Sequence, residues 1–596
     1  MHRMKMYLGS ARPGRYAPRI MTKDSQRAGA SLAIALLAIV ALGAATDAVA
    51  QTTTDAAAQT MAPLQDAEAM ARAALAQPDP ILKGLVFLDD ISDVNADGVS
   101  LPSTIAVDVT QVPALSDPRV AEMLAAHVGK PFNIVVLERI RSEVAGYFAT
   151  AGRPFVRVTL PEQDATNGVV QFVAIESALG SIKVEGAKYF GERTYLNAVE
   201  LEPGEKIDAA RLERALAWLN TNPYRQVTPI ALAGSAAGTT DIVLQAQERR
   251  PLAVGASIGN TGNPYNGEVQ IGASLDWGNA FGRGDLAGVQ YTTSSDRVIN
   301  QVGGSYTARL PWRHTVALTG SYARTRPDSQ GSDIRTHGAS SGGSARYVWT
   351  PGQRSWPILD RLAAGVDYRR SNNDVLFGGE TVFSTSAVVA QFVAEYSTNV
   401  VSRLGATNIL ISPVFSPGGI GNQNTDAVFA EQRAGATARY AYVRAAIGHA
   451  APLPWGFTWN IRATGQLASA ALLSSEQIAF GGEGSVRGFD AFAANRDEGI
   501  VATAELRLPV LSGVLFGSRG DANADELSLF VFADYGTGRL RGADAGPLRM
   551  ASAGPALSYR AGRFGTVQLS YGRVLEHAGV DIDSRGRLHF QIRTGF

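Results

Sequence analysis

Past Pro251 the chain shows no helical period and becomes a series of segments in which apolar residues alternate with small or polar ones. Val269, Ile271, Ala273 and Leu275 share one face, and Glu268, Gln270, Ser274 and Asp276 the other. The same holds for Val567, Leu569 and Tyr571 against Thr566, Gln568 and Ser570, and for Leu588, Phe590, Ile592, Thr594 and Phe596 against His589, Gln591, Arg593 and Gly595. A period of two marks strands with one apolar and one solvated face. A soluble sandwich also alternates, but it would seldom set charges such as Glu505 and Arg507 on the second face of strand after strand without a solvent there. At roughly 20 to 22 residues per strand and connection, residues 251–596 supply about 16 strands, an even number as in bacterial membrane barrels. An open sheet would leave unpaired edges in lipid, so closure is required. The fold expected is a membrane all-β barrel of about 16 antiparallel strands, with outer-membrane lipid as its surroundings.

The N-terminus carries an address. Ala28 to Ala45 is the one long apolar run; it follows Lys23 and Arg27 and precedes Ala48-Val49-Ala50, a small-x-small cleavage pattern. Residues 1–50 are therefore read as a signal peptide, with Met21 a candidate start. The chain has no Cys, which excludes disulfides, thiolate metal sites and Cys nucleophiles. Acids and bases balance at 54 each, against a nucleic-acid partner. The seven His include no H-E-x-x-H spacing, and no metal or other cofactor is expected.

Between leader and barrel, residues 51–80 read as a linker with one helix-capable stretch, 62–75. Residues 81–248 repeat the order β-α-α-β-β twice, giving two small α+β modules at 81–178 and 179–250. In the first, Asp117 caps one helix and a second runs from Asn133 to Thr150, with Ile134, Leu137, Ile140, Val144 and Phe148 on its apolar face. Its opening strand is either Lys83 to Leu88 or Thr104 to Val109. In the second, the main helix starts at Asp208 and sets Leu212, Ala215, Leu216 and Leu219 in one stripe.

One connection stands apart, around 472–499. It holds Gly481-Gly482-Glu483-Gly484-Ser485-Val486-Arg487-Gly488-Phe489. Lacking Gly-Lys-Ser/Thr and a following helix, it is neither a Walker loop nor a dinucleotide fingerprint. Five strands follow it, at about 500–509, 527–535, 548–558, 562–572 and 587–596, so with a periplasmic C-terminus it emerges on the extracellular side.

Signal peptide, paired modules, terminal Phe596 and Val486-Arg487-Gly488-Phe489 before the twelfth strand together resemble the two-partner secretion transporters, the FhaC/ShlB/HecB haemolysin secretion and activation family. Asn220 with Pro223, Thr240-Asp241-Ile242-Val243 and Asn260-x-Gly262 add to the likeness. The long stretch around Asn95-Ala96-Asp97-Gly98, before the first helix, departs from it. The resemblance implies that the modules are POTRA domains and that the loop folds into the lumen, where its arginine pairs with the acid of an F-x-D-x-G motif. Here that motif is Phe532-Ala533-Asp534-Tyr535-Gly536. By parity Asp534 shares a face with Ser528, Phe530 and Phe532, two phenylalanines that need a cover in a watery lumen.

The resemblance further implies a monomeric transporter, not an enzyme, that takes an unfolded secreted exoprotein of β-helical type from the periplasm and passes it through the barrel. Leu212, Leu216, Leu219 and Asn220 are candidates to touch that client. An insertase of the same superfamily is the alternative; two modules rather than more weigh against it.

Overall fold

The computed structural model describes residues 80–102, 104–236, 238–326, 334–350, 358–377, 380–515, 524–542, 546–582 and 584–595. The leader, the 62–75 stretch and Phe596 lie outside them. The chain divides into two compact units, one of residues up to Ser181 with Ile230–Ile242, the other of Ile182–Pro229 with Val243–Phe596.

In the first unit, β1 (Gly84–Leu88) lies between β2 (Val107–Asp108) and a later strand, β4 (Val169–Glu176), parallel to both, and β3 (Val156–Thr159) adds antiparallel at the far edge of β4. Both candidate opening segments thus contribute strands, 83–88 at the centre and 104–109 at the edge. Helices α1 (Pro118–Ala125) and α2 (Ile134–Thr150) are capped by the side chains of Asp117 and Asn133. They bury Leu124, Ile140, Val144 and Phe148 with Leu85, Phe87 and Phe172 of the sheet. Ile134, expected on that face, sits in the first turn of α2 and is exposed.

The opposite face of the sheet is covered as well. The excursion 89–106 lays Val94, Val99 and Leu101 over Val86, Leu88 and Val173. Gln171, fully buried, holds the excursion in place: its Nε2 donates to Asn95 O at 2.8 Å and its Oε1 accepts from Asn95 N–H at 3.1 Å. A strand covered on both faces reads as an unbroken apolar run, which is why Gly-Leu-Val-Phe-Leu does not alternate.

Beyond it the chain runs β5 (Ala178–Glu185), α3 (Glu192–Val199), α4 (Ala209–Asn220), β6 (Arg225–Ala233) and β7 (Thr239–Glu248). The wall follows: β8 (Leu252–Gly259), β9 (Gln270–Ala280), β10 (Asp285–Ser294), β11 (Ile299–Arg309), β12 (Thr315–Thr325), β13 (Ile334–Trp349), β14 (Ile358–Phe377), β15 (Glu380–Ser402), β16 (Gly405–Pro417), β17 (Arg439–Pro452) and β18 (Thr458–Ala468). Short β19 (Ile478–Phe480) and β20 (Ala494–Arg496) pair with each other outside the wall. The wall resumes with β21 (Glu498–Arg507), continued by β22 (Leu511–Ser512), then β23 (Glu526–Arg539), β24 (Leu548–Arg560), β25 (Gly565–Ala578) and β26 (Gly586–Gly595). With β21 and β22 as one broken strand, this is a closed antiparallel barrel of 16 strands, β26 pairing β8.

Its polarity is inverted relative to a soluble protein. On β23, Leu529, Val531 and Tyr535 are exposed outside while Phe530, Phe532 and Asp534 are buried inside; on β26, Leu588 and Ile592 face out and His589 faces in. An apolar outer band over a polar interior is the surface a bilayer selects. No helix among the described residues is long and apolar enough to cross a membrane.

Helices α3 and α4 fix which rim is which. Asn222 Nδ2 donates to Gly278 O and Gly284 O, Arg309 donates to Trp218 O and Thr221 Oγ1 and stacks 3.8 Å over the Trp218 ring, and Arg313 donates to Ala198 O. All of these barrel residues lie at the β9–β10 and β11–β12 turns, so the connections after β16 and β18 emerge at the opposite rim.

Candidate functional site: an inward loop and its wall contacts

The connection between β18 and β21 folds back into the barrel. Arg487, at its tip, is 1 % exposed. Its Nε and Nη2 donate to Asp534 Oδ2 and Oδ1 at 2.8 and 2.7 Å, a two-pronged fork, and its own backbone N–H adds a third bond to Oδ2 at 3.0 Å. Nη1 reaches Glu505 Oε1 on β21 at 3.1 Å, and the guanidinium lies 3.5 Å over the Phe532 ring. A planar cation suits this position because it satisfies carboxylates in its plane and an aromatic face across it. Phe530 is covered in the same manner, by Arg507 at 4.2 Å.

Glycines set the approach. Gly488 has φ +89°, a left-handed value, and a Cβ there would fall 2.6 Å from Gly572 O on β25. Its N–H donates to His589 Nε2 at 2.9 Å. Gly536 leaves room for two loop side chains, since a Cβ there would meet Phe480 at 2.8 Å and Val486 at 3.0 Å. Val486 and Phe489, both buried, join Ile478 and Phe480 in an apolar cluster against Val501, Leu548, Met550 and Val574 of the wall. Glu483 accepts from Gln568 Nε2 at 3.1 Å and from the Ser570 hydroxyl; burial pushes its carboxyl above the ordinary value against the lowering effect of Ser570.

The structure therefore gathers Val486, Arg487, Gly488, Phe489, Phe530, Phe532, Asp534 and Gly536 into one place. Glu505 and His589 belong there too. Both lie on the lumen face by parity, but their loop partners, 18 and 101 residues away along the chain, leave no local sequence signal.

The second group sits apart, on α4. Leu212 and Leu219 are buried in the core beside α3, Leu216 is half-buried, and the Asn220 carboxamide bonds both backbone groups of Val227. The leucine stripe of α4 is mainly packing, not an open surface.

Comparison with known proteins places this architecture. The profile of the family described as "Haemolysin secretion/activation protein ShlB/FhaC/HecB" matches residues 238–561. The heme/hemopexin transporter protein HuxB of Haemophilus influenzae is 23% identical over 427 residues, 70% of this chain and 72% of that protein. The outer membrane transporter CdiB of Dickeya dadantii is 26% identical over 423 residues, 66% and 71% of the two chains. The structure of CdiB from Escherichia coli superposes with a TM-score of 0.65 at 17% identity, covering 90% of this chain and 97% of that one, a likeness of fold. With the profile spanning more than half its length, this chain belongs to the ShlB/FhaC/HecB haemolysin secretion/activation family and is an outer-membrane β-barrel of two-partner secretion type.

Proposed function

We propose that this protein passes one large secreted partner across the outer membrane, and that the Arg487 loop must leave its wall site for the partner to go through. The observation that carries the reading is the loop itself: a membrane barrel into whose interior its own tip folds, joined to the wall by the bonds of Arg487 to Asp534 and Glu505 beside an apolar cluster. The modules at 81–178 and 179–250 receive the unfolded partner in the periplasm. The edge of β3 in the first unit offers unpaired backbone groups for strand addition. Folding of the partner outside supplies direction, since the chain carries no nucleotide motif.

The test is deletion followed by a survey of the medium and the outer membrane. Loss of one exoprotein, with other barrels assembling normally, is expected. General failure of outer-membrane protein assembly would replace transport with an insertase role.

A further inference from the structure

A second loop at the same rim reaches inward beside the first. Residues 418–438, between β16 and β17, contain a helix, α5 (Asp426–Gln432), capped by the Thr425 side chain. Asn424 Nδ2 donates to Val388 O and Gln423 O accepts from Val388 N–H, which tie this loop to β15. Phe429, fully buried, packs with Val389, Val393, Val414 and Tyr442 of the wall and with Leu472 and Leu473 of the Arg487 loop.

The junction between the two loops is concentrated on one side chain. Arg433 forks onto Asp497, Nη1 to Oδ1 at 2.6 Å and Nη2 to Oδ2 at 2.7 Å, and Nη1 also donates to Leu472 O. Leu472 lies where the Arg487 loop enters the lumen and Asp497 where it leaves. A single guanidinium thus grips both feet of the loop. Asp497 is wholly buried and accepts further bonds from Leu472 N–H, Gln477 Nε2 and Arg541 N–H. Ala436 and Ala471 pair alongside as a parallel bridge.

We infer that loop 418–438 is a latch, and that Arg433 is a positioning residue which must release Leu472 and Asp497 before the Arg487 tip can clear the lumen. The inference rests on the transport reading above. Its geometry is independent of the tip: the tip contacts hold residues 483–489 to β21, β23, β25 and β26, whereas the latch holds the feet to a different loop. A swing that lifts the tip has to rotate those feet, and Arg433 bridges them.

The chain contains no Cys, so introduced thiols pair only with each other. Bridge partners on neighbouring strands stand about 5 Å apart, within the Cα range that disulfides accept. In cells making the partner exoprotein, A436C/A471C is compared oxidised and reduced. A second variant, E483C/S570C, is joined by a short bis-maleimide linker and locks the tip to β25. Both locks are expected to cut secretion at least tenfold, with reduction restoring it in the first. If the tip lock blocks and the oxidised foot lock secretes normally, the latch is overturned while the transport reading stands. If the tip lock secretes normally, the transport reading falls and the latch with it. In planar bilayers R433A is expected to raise the frequency of channel opening at least tenfold and R433K, which keeps the charge without the fork, less. A purely structural role would lower the yield of folded barrel and leave the opening frequency of the remainder unchanged, which also overturns the latch.

Discussion

Removing the Asp534 carboxylate tests the tip contact most directly. Asp534 accepts three bonds from residue 487, at 3.0, 2.8 and 2.7 Å, and in D534A the buried guanidinium keeps only Glu505 at 3.1 Å and the stack on Phe532. Breaking a buried ion pair by deleting one partner costs about 3 to 5 kcal/mol. Glu505 also accepts from Arg462 and Arg507, so it does not by itself balance Arg487; the loss is at least the lower end, and about 3 kcal/mol corresponds to at least roughly a hundredfold larger undocked population. Arg487 is a trypsin site that the docked tip hides. When opening and closing are fast relative to cleavage, the cutting rate tracks the open population. D534A should therefore be cut after Arg487 at least about a hundredfold faster than the parent, and D534N, which retains one carbonyl acceptor, about tenfold faster. Cleavage at arginines exposed in the parent, such as Arg119, serves as the internal reference. An unchanged rate after Arg487 would refute the pair as the anchor, as would failure of R487D/D534R to recover any secretion beyond either single change.

Two further outcomes follow from the same site. G572A places a Cβ about where the Gly488 backbone lies, 2.4 Å from its N, so it should unseat the tip without touching any charge, read as faster cutting after Arg487 with unchanged heat-modifiable mobility of the barrel. The raised Glu483 carboxyl makes docking pH-dependent: a group whose pKa is higher when docked favours docking in its protonated form, so that contribution is present below the ordinary carboxylate value and is lost as pH rises through the raised one. The Glu483 share of that dependence is read as the difference between the parent and E483Q in trypsin-site exposure during brief pH pulses, and it should slow tip release toward pH 5 relative to neutrality.

Much of the wall is legible because a bilayer outside and water inside impose one rule on every strand. Boundaries drift where strands outrun the membrane. β25 extends to Ala578, beyond the expected 572, and β14 and β15, at 20 and 23 residues, far exceed the roughly 9 to 11 needed to span. In the first module the rule fails for a physical reason, since the excursion 89–106 buries the second face of β1 and removes its alternation. At the site, motif and parity locate Arg487, Asp534 and the phenylalanines. They do not tell Glu505 and His589, which touch the loop across the lumen, from solvated wall residues. The stripe on α4 shows the converse limit: Leu212 and Leu219 are apolar at helical spacing, and spacing alone does not say whether a neighbour already covers them. Nothing local marks Arg433, whose partners lie 39 and 64 residues on.

The choice of charge over apolar packing at tip and feet has a consequence for how such a loop moves. A buried ion pair gains little net stability, because desolvation offsets most of the attraction, yet deleting one partner is costly because it strands the other. Arg487 with Asp534 and Glu505, and Arg433 with Asp497, are therefore sensitive to mutation while remaining close to balance against water. An apolar plug of equal area would resist release, since withdrawing it exposes hydrocarbon surface at roughly 25 cal/mol per Å². Here the apolar part is confined to Val486, Phe489 and their cluster and to Phe429 with Leu472 and Leu473, and the charged groups that hold them find solvent or a passing backbone as soon as they part. On the transport reading proposed above, a polypeptide entering from the module side brings N–H and C=O groups with it. It can replace these bonds one at a time, so the lumen need not empty before it fills.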